Sequence, residues 1–213
     1  MDFLPEEINN YCHRFTEDES DILAELNRFT HANVLQSRML AGHLQGRVLS
    51  MLSHMIQPRT ILEIGTYTGY SALCWAEGLV ENGLIHTIEL NDELETKILS
   101  FINKSEHRER IKLHIGNALE IIPALEGTFD IVYIDADKEN YGAYYDLVID
   151  RLKPGGYVIA DNVLWSGKIT SHESEMDHET RCLYDYARKI HDDARVQNVL
   201  FPIRDGLMIA RKI

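Results

Sequence analysis

Thr60 to Leu73 reads TILEIGTYTGYSAL. Ile61, Leu62 and Ile64 form a short apolar run around one acid, Glu63, which Gly65 breaks and Gly69 closes into a loop. Tyr70, Ser71, Ala72 and Leu73 then begin a helical pattern, so the stretch predicts strand, glycine turn, helix. Gly65 lets the chain leave the strand without a Cβ clash, and Gly69 lets backbone come close to a ligand or a neighbouring element. The first amides of the helix would face such a ligand. The spacing is ExGxxxG, not the GxGxxG of dinucleotide sites, which removes the main support for a nicotinamide or flavin. A structural turn also needs glycine, so the rest of the chain must decide between a site and a bend.

Downstream, strands are expected at Thr60 to Ile64, Leu84 to Ile88, Ile111 to Ile115, Phe129 to Ile134 and Tyr157 to Ala160, with helical stretches between most of them. This alternation implies right-handed crossovers and a parallel sheet covered on both faces. Val196 to Phe201 and Leu207 to Arg211 are separated only by Pro202 to Gly206, too short for a crossover helix, so they should pair as an antiparallel hairpin at one edge. Upstream, Thr16 with Glu19 resembles a capping box, and Ile22, Leu23, Leu26, Phe29 and Thr30 recur at helical spacing. A second helix over Gly42 to Ile56 carries Leu44, Val48, Leu49, Leu52 and Met55 on one side and stops before Pro58. Ser37 to Ala41, between them, is either a mobile segment near a ligand or a simple turn. No repeat or linker divides the chain, and 1–213 is expected to be one domain, with 1–57 as N-terminal helices and 58–213 as the core.

In an open parallel sheet, ligands bind beyond the carboxyl ends of the strands. The five expected ends carry Glu63 with Gly65, Glu89, Gly116 with Asn117, Asp135 with Asp137, and Asp161 with Asn162. One such end is ordinary turn chemistry; five together point to a site. Glu89, about twenty residues past Gly69, is placed to accept hydrogen bonds from a ribose diol. Asp135, Asp161 and Asn162 offer hard oxygen atoms from two strand ends, suited to Mg²⁺ or Ca²⁺ and lacking the His or Cys expected for zinc, although capping residues look the same. Lys138 follows Asp137; a neighbouring divalent cation would lower its pKa towards that of a base, while Asp137 acts in the opposite direction.

Composition excludes several classes. The 213 residues carry 21 Lys plus Arg against 34 Asp plus Glu, a net charge of -13 that repels nucleic acid and anionic membranes. No apolar run approaches the roughly 20 residues of a membrane span. MDFLPEEINN lacks the basic start and apolar core of a signal peptide, so a cytoplasmic location is expected. Cys12, Cys74 and Cys182 are scattered and outside any CxxC spacing, which suits reduced thiols.

LEIGTYTGYSAL, TIEL, FDIVYIDADKENY, IADNVLWSG and FPIRDGLMIARK, in that order over Gly42 to Lys212, resemble the cation-dependent O-methyltransferases of the caffeoyl-CoA and catechol type, in a short bacterial-type form. IDADKxNY with DNxLWxG is the specific part; the glycine loop alone marks S-adenosylmethionine enzymes in general. The resemblance implies a Rossmann-like α/β sheet of seven mostly parallel strands, helices on both faces and a C-terminal antiparallel hairpin.

It also implies S-adenosylmethionine as cofactor, a divalent cation (Mg²⁺ first, Ca²⁺ or Mn²⁺ also admissible), a small phenolic substrate, no nucleic acid or membrane partner, and a homodimer. By resemblance the cofactor set is Glu63, Gly65, Tyr67, Gly69, Ser71, Glu89, Gly116, Ala118, Asp135, Asp137 and Tyr141. The metal set is Asp135, Asp161 and Asn162, and the general base is Lys138. Met39 corresponds to a residue near the transferred methyl, and Gln45 stands where plant members carry Glu. Acceptor recognition falls to Ser37 to Gln45 and Trp165 to His178, neither with a basic cluster for a CoA group. The alternatives are methyl transfer to tRNA or protein, which the acidic charge disfavours for tRNA, and a non-catalytic S-adenosylmethionine-binding module.

Overall fold

The computed structural model describes residues 5–213; the first four residues of MDFLPEEINN lie outside the described residues. In chain order the elements are α1 (Glu6–Arg14), α2 (Asp21–Asn33), α3 (Gly42–Ile56), β1 (Thr60–Ile64), α4 (Tyr70–Ala76), β2 (Leu84–Glu89), α5 (Glu95–Ile102) and β3 (Ile111–Ile115). They continue with α6 (Ala118–Ala124), β4 (Phe129–Ile134), α7 (Tyr141–Val148), β5 (Leu152–Asp161), α8 (His178–Asp192), β6 (Val196–Phe201) and β7 (Leu207–Lys212). The strands form a seven-stranded sheet in the order β3-β2-β1-β4-β5-β7-β6. β1, β4 and β5 are mutually parallel, and β7 runs antiparallel to both β5 and β6. The expected hairpin is present, with β7 as its inner strand.

The described chain divides into two compact units, one made of Ile61–Gly65 and Ala118–Ile213, the other of 5–60 and Thr66–Asn117. In the first unit, Ile61, Leu62, Ile131, Val132, Ile134, Val158 and Ala160 are almost wholly buried, as strands covered on both faces require. β5 reaches back to Leu152, earlier than the expected Tyr157. Phe129 pairs with Leu152 and Ile131 with Tyr157, so the chain through Pro154 and Gly155 bulges out of the ladder and rejoins it.

In the second unit, β2 and β3 pair in parallel from Ile85 with Ile111 to Glu89 with Ile115. Leu23 and Leu26 of α2 and Trp75 of α4 are buried as expected of core positions. Two expectations are corrected here. Thr16 and Glu19 do not cap a helix: the Thr16 hydroxyl donates back to Cys12 O at 2.7 Å, while the Glu19 carboxylate accepts from Asn27 and from the Tyr70 hydroxyl. α2 therefore starts only at Asp21. The buried face of α3 shares only Leu49 with the expected stripe; it is Gln45, Gly46, Leu49, Ser50 and Ser53, and Met55 is 74% exposed. Small residues win because α4 comes so close that a Cβ on Gly46 would lie 2.7 Å from the Tyr70 ring, and the backbone at Ser53 packs tightly on Gly78. Ser37–Met39 forms a short 3₁₀ turn between α2 and α3.

Candidate active site

The glycine turn begins in the first unit. Gly65 has φ +98°, and a Cβ there would sit 2.1 Å from the carbonyl oxygen of Asp135, whose own N–H donates to Ile64 O at 2.9 Å. Glycine is thus demanded by the approach of β1 to the end of β4. Glu63, two residues earlier, is fully buried beside Tyr133 in the β1 to β4 register.

The rest of the turn belongs to the second unit. Tyr67 N–H donates to Glu89 Oε2 at 2.7 Å and Asn91 N–H to Glu89 Oε1 at 2.9 Å, while the Glu89 carbonyl accepts from Gly116 N–H at 2.8 Å. These backbone donors, together with those of Leu90 and Thr66, aim the carboxylate. Burial raises the Glu89 pKa, and those backbone donors oppose the rise. Gly69 has φ +91°, but a Cβ there would meet only Ile98 at 3.5 Å, so its glycine is needed for the left-handed turn rather than for close approach. Tyr67, itself at φ +52°, donates its hydroxyl to Leu35 O at 3.0 Å and so ties the segment after α2 to the glycine turn. Ser71 is buried in the first turn of α4. Met39 is 54% exposed and Gln45 is 1% exposed. A cleft of about 950 Å³ in this unit, lined by Phe15, Ile22, Arg47, Val48 and Met51 among others, includes none of the candidate cofactor residues.

The polar centre of the first unit lies where β4 and β5 end. Lys138 Nζ donates to Tyr141 OH at 2.6 Å, to Asn162 Oδ1 at 3.0 Å and to Asp135 Oδ1 at 3.3 Å. It lies 4.8 Å above the Tyr141 ring and 5.7 Å from the Trp165 ring. The Tyr141 hydroxyl in turn donates to Asp161 O at 3.0 Å. Asn162 adopts φ +60°, a left-handed turn that Asn tolerates, and this turns its amide oxygen towards the lysine. The Asp161 carboxylate accepts from Asn162 N–H at 2.7 Å on Oδ1 and from Tyr133 OH at 3.1 Å on Oδ2.

Burial pushes the Asp135 pKa up to about 6; Lys138 pulls it down and Asp161 adds to the rise. Burial, reinforced by the nearby acids, keeps the Tyr133 and Tyr141 phenols well above their ordinary range.

The structure therefore brings Asp135, Lys138, Tyr141, Asp161 and Asn162 together. Asp137 stands apart from that group: its carboxylate accepts from Tyr144 OH at 2.5 Å and from the Asn140 amide. Ala118 opens α6, largely buried. Tyr133 was not among the expected site residues, because within FDIVYIDAD it reads as one more large residue of a buried strand. Its only signal is a hydroxyl in a strand otherwise apolar from Ile131 to Ile134.

Among the described residues no three His, Cys, Asp or Glu side chains gather into a metal cage. The Asp135, Asp161 and Asn162 set nonetheless fits a hard divalent cation. It offers only oxygen donors, two of them carboxylates, and Asp135 and Asn162 already converge on a cationic group, the Lys138 ammonium.

A sheet ordered 3-2-1-4-5-7-6 with its seventh strand reversed, a glycine turn after the first strand and an aimed acid at the end of the second define a Rossmann-like methyltransferase. The chain belongs to the O-methyltransferase family, whose model matches residues 13–213. It is 33% identical over 206 residues to a caffeoyl-CoA O-methyltransferase of Petroselinum crispum, covering 92% of this chain and 85% of that one. It is 36% identical to the catechol O-methyltransferase domain-containing protein 1 of Mus musculus over 79% of this chain and 66% of that one. The SAH-bound methyltransferase PaMTH1 of Podospora anserina superposes with a TM-score of 0.89 at 28% identity, covering 99% and 98% of the two chains.

Proposed function

We propose that the protein transfers the methyl group of S-adenosylmethionine to one hydroxyl of a small catechol-like aromatic, with a divalent cation held by Asp135, Asp161 and Asn162. The observation that carries this is the buried Lys138 ammonium shared by Asp135, Asn162 and Tyr141 at the ends of β4 and β5. Glu63, Gly65, Tyr67, Gly69, Ser71, Glu89, Gly116, Ala118, Asp135, Asp137 and Tyr141 are proposed to hold the cofactor, with Glu89 on the ribose.

A phenol of pKa about 10 is mostly protonated at neutral pH. The cation, when bound, supplies the charge that stabilises the phenolate. Lys138 takes the phenol proton as the neutral amine, having first released one of its own three protons to solvent. Tyr141 then holds the nitrogen in place by the shortest of its hydrogen bonds.

A free catechol suits the site better than a CoA thioester. Within Trp165 to His178 the one lysine, Lys168, is already paired with Asp177 at 2.8 Å. A homodimer is supported by the outward side of α3, where Met51 is 60% and Met55 74% exposed. A cytoplasmic location is proposed on the scattered cysteines.

The test is a matched pair of acceptors. A vicinal diol should be methylated at least about 100-fold more efficiently than the monophenol lacking one hydroxyl, since unmatched site oxygens discriminate strongly. Equal rates on both would contradict chelation.

A further inference from the structure

Tyr133 lies on β4, the strand between β1 and β5, and in register it stands beside Glu63 and Ile159. Asp161 is two residues past Ile159 on β5, so it points to the same face as Tyr133. The ring is wholly buried, and a buried hydroxyl is costly unless it is hydrogen-bonded. Phenylalanine would fill the same volume without that cost. The hydroxyl donates to Asp161 Oδ2 at 3.1 Å, while Asn162 N–H holds Oδ1 at 2.7 Å, so both oxygens of the carboxylate are gripped from the protein side.

We propose that Tyr133 is a positioning residue for the cation site: its hydroxyl fixes the Asp161 carboxylate in the orientation that receives a divalent cation. This rests on the proposed role of Asp161 as a cation ligand. An unheld carboxylate turns about its own bond and must be ordered on binding. With the Tyr133 and Asn162 donors in place that ordering is done during folding, as with outer partners of metal ligands generally.

The experiment is Mn²⁺ titration of the full chain, followed by electron paramagnetic resonance of the free ion, for wild type and Tyr133→Phe. The Mn²⁺ dissociation constant should rise about 10-fold or more in Tyr133→Phe, while S-adenosylmethionine affinity measured calorimetrically without metal stays the same. The thermal midpoint is recorded with and without saturating Mn²⁺. A purely structural hydroxyl lowers both midpoints equally, whereas a positioning one also shrinks the increment that Mn²⁺ provides. Wild-type binding with an unchanged constant and increment in Tyr133→Phe overturns the positioning role and leaves the cation site standing. Absence of Mn²⁺ binding by the wild type overturns both.

Discussion

Lys138 donates all three of its N–H bonds, to Asp135, Asn162 and Tyr141, and so acts as the resident counter-charge of the site. Asp135 shows what that arrangement leaves unbalanced, since its carboxyl holds its proton up to about pH 6 against an ordinary value of 3.8. The stability this contributes is complete below about pH 3.8 and lost as the pH rises through about 6. Cation binding has the opposite requirement, because a ligand carboxyl must be ionised. Mg²⁺ affinity measured by calorimetry at fixed ionic strength should be flat above about pH 7 and fall about tenfold per pH unit below about 6. Affinity unchanged down to about pH 5 would rule out Asp135 as a ligand. Most of this centre was legible in the sequence, because Asp135, Lys138, Asp161 and Asn162 stand where apolar strands stop. Tyr133 was not, because its partner is chosen by the register of β4 on β5, which no local pattern encodes.

The two glycines of the turn that opens α4 do different work, and substitution separates them. Gly65→Ala places a Cβ 2.1 Å from the Asp135 carbonyl at φ +98°. Backbone must move, so the loss should reach about 3 to 4 kcal/mol, at the large end for a point change. Gly69→Ala makes only an ordinary contact with Ile98 at 3.5 Å and bears the left-handed conformation, about 1 to 2 kcal/mol. Urea unfolding of both variants checks the order; a Gly69→Ala chain less stable than Gly65→Ala would refute it. β1 to β4 were readable because continuous apolar runs bounded by turn residues have few other outcomes. The capping box and the α3 stripe misled for one physical reason. Glu19 and the small residues of α3 are engaged by α4, and a tertiary partner overrides a local preference.

The two tryptophans fall one in each compact unit, Trp75 in the unit of 5–60 with Thr66–Asn117 and Trp165 in the other. The proposal of one domain therefore has a direct check: Trp75→Phe and Trp165→Phe each leave a single emitter, and the two urea midpoints should coincide with each other and with circular dichroism. Separate midpoints would mean two independently folding parts. At this scale the net charge of -13 leaves the small-molecule acceptor as the favoured partner over nucleic acid. The seven-stranded, mostly parallel sheet with its antiparallel hairpin was anticipated through the resemblance, while the order of the strands, with β7 inside beside β5, comes from the structure.

The most direct test of the central claim is methyl transfer from labelled S-adenosylmethionine to a panel of small catechols, in Mg²⁺ and again in excess EDTA. Turnover should vanish with EDTA, return when Mg²⁺ is restored, and be abolished by Asp161→Ala. Turnover indifferent to EDTA would contradict a cation at Asp135, Asp161 and Asn162, and no turnover on any catechol would contradict the proposed acceptor.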